Sequence, residues 1–360
     1  MADVFFADAK VRRLEKNATL PAKFLKLLDA LKLEEKVKNK NVCIKMHVGG
    51  GYGYTTIHPL FVRMLVDFIK ENGGNPFITD VVVPYPGRGY VEQVIGCNFI
   101  QATGLRDTNY FTVKVPGRYG IKQLQLGGVL KDTDFLINFA HAKGHGNCAY
   151  GGAIKNLGMG FVTTKTRIDI HSTVESRPYW DKSKCKHCSI CVKNCRTSAI
   201  KFDEKKQLVI DFHACVFCMR CVALCPYKAL GLDASNYEVF QRALALSAKK
   251  VLEQLNGNFC HINVITNVTP YCDCLGMSSP SIIPDVGIVG SYDIVSIETA
   301  TLDLIDKQKY IEGSLPGHLR FEKETGHIFE RIWGKDPYVQ VKEAAKLGLG
   351  KPGYTIKEIR

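Results

Sequence analysis

Val42-Cys43-Ile44-Lys45-Met46-His47-Val48, then Pro59-Leu60-Phe61-Val62-Arg63-Met64-Leu65-Val66-Asp67-Phe68-Ile69-Lys70, then Pro76-Phe77-Ile78-Thr79-Asp80 carry the pattern from which the architecture follows. The first segment reads as a strand. The second carries Phe61, Val62, Leu65, Phe68 and Ile69 at helical spacing, with Pro59 suited to the first turn and Gly73-Gly74 to the C-terminal end. The third is the next strand. Strand, helix and strand joined by short loops specify a parallel crossover unit.

Outward from this unit, Asp134-Phe135-Leu136-Ile137-Asn138-Phe139-Ala140 reads as another strand. It runs into a Gly- and His-rich loop, before a helix expected near Gly152 to Gly158. Tyr237 to Leu255 reads as a helix and Ile262 to Ile265 as a strand, and Val286–Gly290 and Asp293–Ile297 continue the strand-rich pattern. Composition changes abruptly at Tyr179-Trp180 and changes back near Gly231. The expectation is an α/β protein with an open, mostly parallel sheet core built from residues 1–178 and 232–360, interrupted by an inserted module over 179–231. Two domains in series is the alternative.

The chain has 360 residues, 46% of them hydrophobic, enough for a substantial core. Its formal charge of +13 comes from scattered Lys residues without a nucleic-acid motif. No nucleic-acid partner is expected; the charge reads as solvated surface or as a docking face for an acidic protein. No apolar run reaches the roughly 18 residues of a membrane span, since Leu60–Ile69 is interrupted by Arg63 and Asp67. Met1 to Asp8 lacks the succession of a signal peptide, so a cytoplasmic location is expected. In a reducing compartment, 14 cysteines point to metal rather than to disulfides.

Eight of those cysteines repeat with a period of 30: Cys185, Cys188, Cys191, Cys195, then Cys215, Cys218, Cys221, Cys225. Each half is C-x2-C-x2-C-x3-C, in which three thiolates of one loop seat on one cluster and the fourth reaches the other. Two [4Fe-4S] clusters are expected, one on Cys185, Cys188, Cys191 and Cys225, the second on Cys215, Cys218, Cys221 and Cys195. Zinc is the competing metal, but its sites pair two C-x2-C arms across a longer gap. Ile200, Phe202, Val209 and Phe212 around Asp203-Glu204-Lys205-Lys206 read as a hairpin between the repeats.

Residues 185–230 closely resemble the two-cluster bacterial ferredoxins. Pro226 follows Cys225 as in that motif, whereas Arg196 stands where the other repeat would have Pro; it is expected to add a donor and a positive charge near one cluster and raise its potential. The flanks resemble the family called domain of unknown function 362, through Lys45-Met46-His47 to His58-Pro59-Leu60-Phe61-Val62, Gly152-Ala153-Ile154-Lys155-Asn156-Leu157-Gly158, Tyr271-Cys272-Asp273-Cys274 and Pro284-Asp285-Val286-Gly287-Ile288. That resemblance implies an iron-sulfur context and no reaction.

Four places in the core carry candidate chemistry. Gly49, Gly51 and Gly53, with Thr55-Thr56 before a helix, offer backbone N–H groups to an anion, with Lys143 and Lys155 as cationic partners; an ordinary turn is the alternative. His141 and His145 in His141-Ala142-Lys143-Gly144-His145-Gly146-Asn147-Cys148 are candidate ligands or proton donors. In Cys272-Asp273-Cys274, read as extended, the thiols would share one face and Asp273 would serve as base or orient a His; packed thiols are the alternative. His171, near Arg167 and Asp169, reads as surface chemistry. Cys43, Cys97 and Cys260 read as core.

These features point to an iron-sulfur redox protein relaying single electrons to a substrate or cofactor site in the core, an oxidoreductase of undetermined substrate. The alternative is a non-catalytic electron-transfer or metal and cofactor maturation protein. An acidic ferredoxin or flavodoxin is the expected electron partner, with a small anionic substrate. Whether the core also takes a metal, flavin or organic ligand stays open. The Gly/His loop and the Cys272–Cys274 segment should meet at one edge of the sheet, facing the cysteine module.

Overall fold

The computed structural model describes residues 1–175, 179–233, 235–276 and 278–360; the boundary expected at residue 178 lies outside them. Eight strands form one sheet: β1 (Ala2–Asp8), β2 (Asn41–Lys45), β3 (Asn75–Asp80), β4 (Phe99–Gln101), β5 (Phe135–His141), β6 (Phe259–Ile265), β7 (Gly287–Ser291) and β8 (Tyr354–Ile359). Their spatial order is β8-β1-β7-β6-β5-β2-β3-β4. Neighbours run parallel except where β7 meets β1 and β6, so the sheet is mostly parallel, as the crossover pattern demands. Strands from both sides of residues 179–231 lie in it: β6 pairs with β5, Ile262 opposite Phe139.

The pleat sorts side chains into two apolar layers. Val42, Ile44, Ile137 and Phe139 face helices α1 (Leu20–Ala30) and α2 (Pro59–Glu71). Cys43, Leu136 and Ala140 face α3 (Ala153–Gly160), α5 (Asn236–Glu253) and α6 (Ile294–Asp306), with α4 (Thr164–Ser172) beside them. Alternation at period two explains both faces, and burial on both explains the near-continuous apolar run of β5. Each fully buried Phe or Ile here contributes about 1.5–3 kcal/mol.

One expectation fails in this region. Asp293–Ile297, read as strand, opens helix α6 instead. The Asp293 carboxylate accepts from Val295 N at 2.9 Å and Ser296 N at 2.8 Å, capping the first turn, and Ile294, Val295 and Ile297 are buried. A good cap and an apolar face override the strand preference of β-branched residues.

Ile200–Phe202 pairs with Leu208–Ile210 as the expected hairpin. Its Ile200, Leu208 and Ile210, with Phe212, join the same apolar layer as α3 and α5, which fixes the cysteine module to the core. The chain runs from β2 outward through β3 and β4, then returns to place β5 on the other side of β2. Such a reversal opens a crevice at the C-terminal ends of parallel strands.

Candidate functional site

The ends of β2, β3 and β5 put Lys45, Asp80 and His141 at that crevice. Lys45 Nζ lies 3.2 Å from Asp80 Oδ1 and 2.9 Å from Asn156 Oδ1, while His47 Nδ1 lies 2.8 Å from Asp80 Oδ2. Burial pushes Asp80 up, but Lys45 and His47 override it and hold the carboxyl well below its usual range. Gly160 of α3 leaves the space Lys45 occupies, since a Cβ there would run into the ammonium. A cavity of about 130 Å³ opens beyond, lined by Lys45, His47, Asp80, Lys143, His145, Lys155, Arg167, His171, His213 and Cys274 among others. Four basic side chains against one carboxylate make it an anion-attracting site. His47 Nε2 and His213 Nδ1 are buried without a hydrogen-bond partner in the protein.

The Gly/His segment and the Cys272–Cys274 segment meet here. Gly144 N donates to Thr269 O at 2.8 Å. His141 Nδ1 lies 2.9 Å from Asp273 Oδ2, and Lys143 Nζ 3.3 Å from the same oxygen. Burial raises Asp273, and Lys143 and His141 more than reverse it. His141 Nε2 faces Thr266 O at 2.8 Å. Both ring nitrogens therefore face oxygen acceptors, and neither His141 nor Asp273 lines the cavity. They form a buried link between the end of β5 and the Cys272–Cys274 segment, set back from the cavity wall.

Two local conformations also differ from expectation. The Gly/His loop is a short ladder, Lys143–His145 against Ala149–Gly151. Cys272-Asp273-Cys274 is not extended; a single helical turn over Asp273–Leu275 carries it. The thiols still share one side, their sulfurs within 4.8 Å of each other, and the turn brings Cys274 N to 3.4 Å from Cys272 Sγ.

His145, Cys272 and Cys274 present ligand-type atoms all within 4.8 Å of one another. Lys155 Nζ donates to Cys272 Sγ at 3.2 Å. Burial alone would raise Cys272, yet Cys274, Lys155 and His145 hold it well below the usual thiol range. Lys155 is raised in turn, because the thiols outweigh its burial. Burial and Lys155 push His145 far down, so its ring is neutral. Its Nδ1 accepts from Asn147 N at 3.1 Å and Cys148 N at 3.3 Å, which leaves the proton on Nε2, 4.0 Å from Cys274 Sγ.

Sequence reasoning placed His171 at the surface and passed over Lys45, His47, Asp80 and His213. His171 stands on the cavity wall with its ring 5.3 Å from that of His213, and burial pushes it down to about 3. The Gly49–Gly53 loop does not join Lys143 and Lys155: Gly51 and Gly53 line a separate cavity with Arg88, of about 250 Å³. Gly50 N is taken by Asp273 O at 3.0 Å, and the Gly50 and Gly51 carbonyls accept from Arg88, so this loop meets a cation rather than an anion.

In the cysteine module the eight thiols fall into two groups. Cys185, Cys188, Cys191 and Cys225 line one small cavity of about 20 Å³. Cys195, Cys215, Cys218 and Cys221 line another of the same size. The backbone repeats with the sequence: His187, Ser189 and Ser198 have φ of 52°, 59° and 55°, and their counterparts Phe217, Met219 and Lys228 have 52°, 60° and 48°. A left-handed non-glycine residue costs about 1–2 kcal/mol, so six at matched places mark a cradle shaped for a ligand. Arg196 lines the second cavity, but its Nη1 lies 2.6 Å from Glu322 Oε2. The carboxylate offsets the charge expected to raise a potential there.

Among the described residues no helix is long and apolar enough to cross a membrane. An α/β core with a crevice at its strand ends and a cysteine-rich module against it defines the class of protein. A family described as Domain of unknown function (DUF362) is matched over residues 42–303, and the chain belongs to it. Over 54 residues, 15% of this chain and 63% of the other, it is 37% identical to the pyruvate synthase subunit PorD of Methanocaldococcus jannaschii. The lactate racemase apoprotein of Thermoanaerobacterium thermosaccharolyticum superposes with a TM-score of 0.39 at 13% identity, over 74% of this chain and 51% of that one. A Thermotoga maritima protein does so with 0.40 at 12%, over 76% and 55%.

Proposed function

We propose that the chain is an iron-sulfur redox protein: residues 185–225 hold two [4Fe-4S] clusters, and the cationic cavity holds a small anionic substrate or cofactor. The grouping of the eight thiols carries the reading. Each small cavity collects three thiols of one repeat and the fourth of the other, the crossed pattern that two cubanes require. The donor set is all soft sulfur, and Ala229 N donates to Cys225 Sγ at 3.3 Å, the kind of amide contact that tunes such a centre. Bound clusters supply one-electron transfer.

The chain's own residues do the rest. Lys143, Lys155 and Arg167 bind and orient the anion, and the unpaired His47 Nε2 and His213 Nδ1 supply hydrogen bonds to it. His213 belongs to the module and precedes Cys215 by two residues, so substrate and second cluster loop share a wall. Cys188 is exposed beside exposed Lys182, Lys184 and Lys186, a face suited to an acidic ferredoxin or flavodoxin. Iron and acid-labile sulfide analysis of anaerobically purified protein tests the reading. About eight of each per chain is expected; about four of each, or stoichiometric zinc, overturns it.

A further inference from the structure

We propose that Cys272 and Cys274 form a dithiol–disulfide couple at the cavity wall, reacting with an anionic low-molecular-weight disulfide and positioned by Lys155 and His145. The inference does not depend on what the cysteines of residues 185–225 hold. Both thiols are free, and they sit two residues apart in a tight turn with their sulfurs within 4.8 Å, a separation that rotation about Cα–Cβ can close to a bond. Cys274 is exposed and lines the cavity, whereas Cys272 is 1% exposed and faces Lys155. The two thiols thus have different tasks.

A metal site on the same three residues is the competing reading, and the His145 ring argues against it. A ligating imidazole offers a lone pair to the ion and donates its other N–H outward. Here the amides of Asn147 and Cys148 point at Nδ1, so Nε2, the nitrogen nearest the sulfurs, carries the proton. His145 donates toward sulfur and has no lone pair to give there. A buried thiolate with a lysine and an N–H beside it is instead the arrangement that makes a thiol reactive.

The chemistry balances without another reagent. The Cys274 sulfur attacks one sulfur of the incoming disulfide, whose S–S bond breaks, and the proton of Cys274 passes to the thiolate that leaves, while Cys272 stays a thiolate held by Lys155. Cys272 then attacks Cys274, forming the internal disulfide and expelling the second thiolate. Two thiol sulfurs of the protein are oxidised and both sulfurs of the substrate are reduced. Lys143 and Arg167 hold the substrate's carboxylates in the cavity. The cycle closes when two electrons from a reduced one-electron carrier of the ferredoxin or flavodoxin class, with one proton, split the internal disulfide.

The test is an anaerobic redox titration of the full chain in mixtures of reduced and oxidised glutathione, quenched with N-ethylmaleimide and read by mass on the peptide that holds both residues. The expected result is one transition between a doubly alkylated and an internally linked peptide, the ratio changing tenfold for about each 30 mV. Lys155→Gln should shift the ratio roughly tenfold toward the disulfide, because a charge-assisted hydrogen bond to the reduced form is lost. Cys272→Ser should trap glutathione on Cys274. Alkylation of both thiols at every ratio overturns the proposal, as does a stoichiometric metal that Cys274→Ser releases. If the variants do not fold, the wild-type titration decides alone. Iron content measured on the same samples separates this outcome from that of the cluster reading.

Discussion

Gly146 packs directly against the main-chain carbonyl of His213, so closely that a Cβ at 146 would run into that oxygen. Lys335, fully buried, reinforces the seam: its Nζ donates to Gly146 O and, at 2.7 Å, to Cys215 O. The loop that carries His145 is therefore fastened to the loop that carries Cys215. Gly146→Ala should push the two apart, lowering stability by about 1–3 kcal/mol, as overpacking does, and loosening the second cysteine cavity before the first. Chemical unfolding and iron content of the variant check this; wild-type values for both would mean the seam bears no load.

Crossed grouping gives Cys195 a consequence that a one-loop, one-cluster arrangement would not. Cys195→Ser should leave the Cys185, Cys188, Cys191 and Cys225 cavity loaded and strip the other, taking iron from about eight to about four per chain. Electron paramagnetic resonance of the reduced variant should retain the signal of the first site. Retention of the other signal instead would reverse the assignment.

Lys45 and Asp80 are each 1% or less exposed and face each other at 3.2 Å. Lys45→Met should cost about 3–5 kcal/mol, because it leaves a buried carboxylate with only His47 and two amides. Adding Asp80→Asn should recover much of the loss. Urea unfolding of the two variants makes the comparison, and equal stability of single and double variants would show that the ion pair is not what Asp80 depends on.

Glu298 is fully buried, and burial raises its carboxyl from 4.5 to about 7 despite hydrogen bonds from the Tyr150 hydroxyl, Ile154 N and Asn263. A raised carboxyl means that the fold binds the proton more tightly than the unfolded chain does. Its contribution is thus complete below about pH 4.5 and declines as pH rises to about 7, by roughly 3 kcal/mol. Glu298→Gln, neutral at every pH, should remove that slope. The stability difference between wild type and variant, measured at pH 5 and pH 8, should move in the variant's favour at the higher pH; a constant difference would place the carboxyl elsewhere on the scale.

If the lysines beside Cys188 guide an acidic carrier, association should weaken steeply with salt, as the Debye length shortens from about 10 Å at 0.1 M to about 3 Å at 1 M. Stopped-flow rates of reduction by such a carrier across that range provide the measurement. Rates that ignore salt would point to an apolar contact.

The strand–helix–strand units, the mostly parallel α/β class and the two cysteine repeats are legible along the chain, because each is written in short-range spacing. Period two, period 3.6 and C-x2-C-x2-C-x3-C are all readable within a few turns of chain. The sequence also located the Gly/His segment and Cys272–Cys274 as chemistry-bearing. Local pattern misled in two ways: the Asp293 cap, itself a local signal, turned an apparent strand into a helix, and Glu322 offset Arg196 from far along the chain.

The cavity, by contrast, is a product of long-range assembly. His47 reaches Asp80 across 33 residues, and His141 reaches Asp273 across 132. These pairs exist because β2, β3, β5 and β6 lie side by side in one register and end at one edge, and because the chain reverses at β2. Strand order is set by which buried faces pack best over the whole chain. No local spacing encodes it, so the residues that line the crevice became visible only once the sheet was assembled.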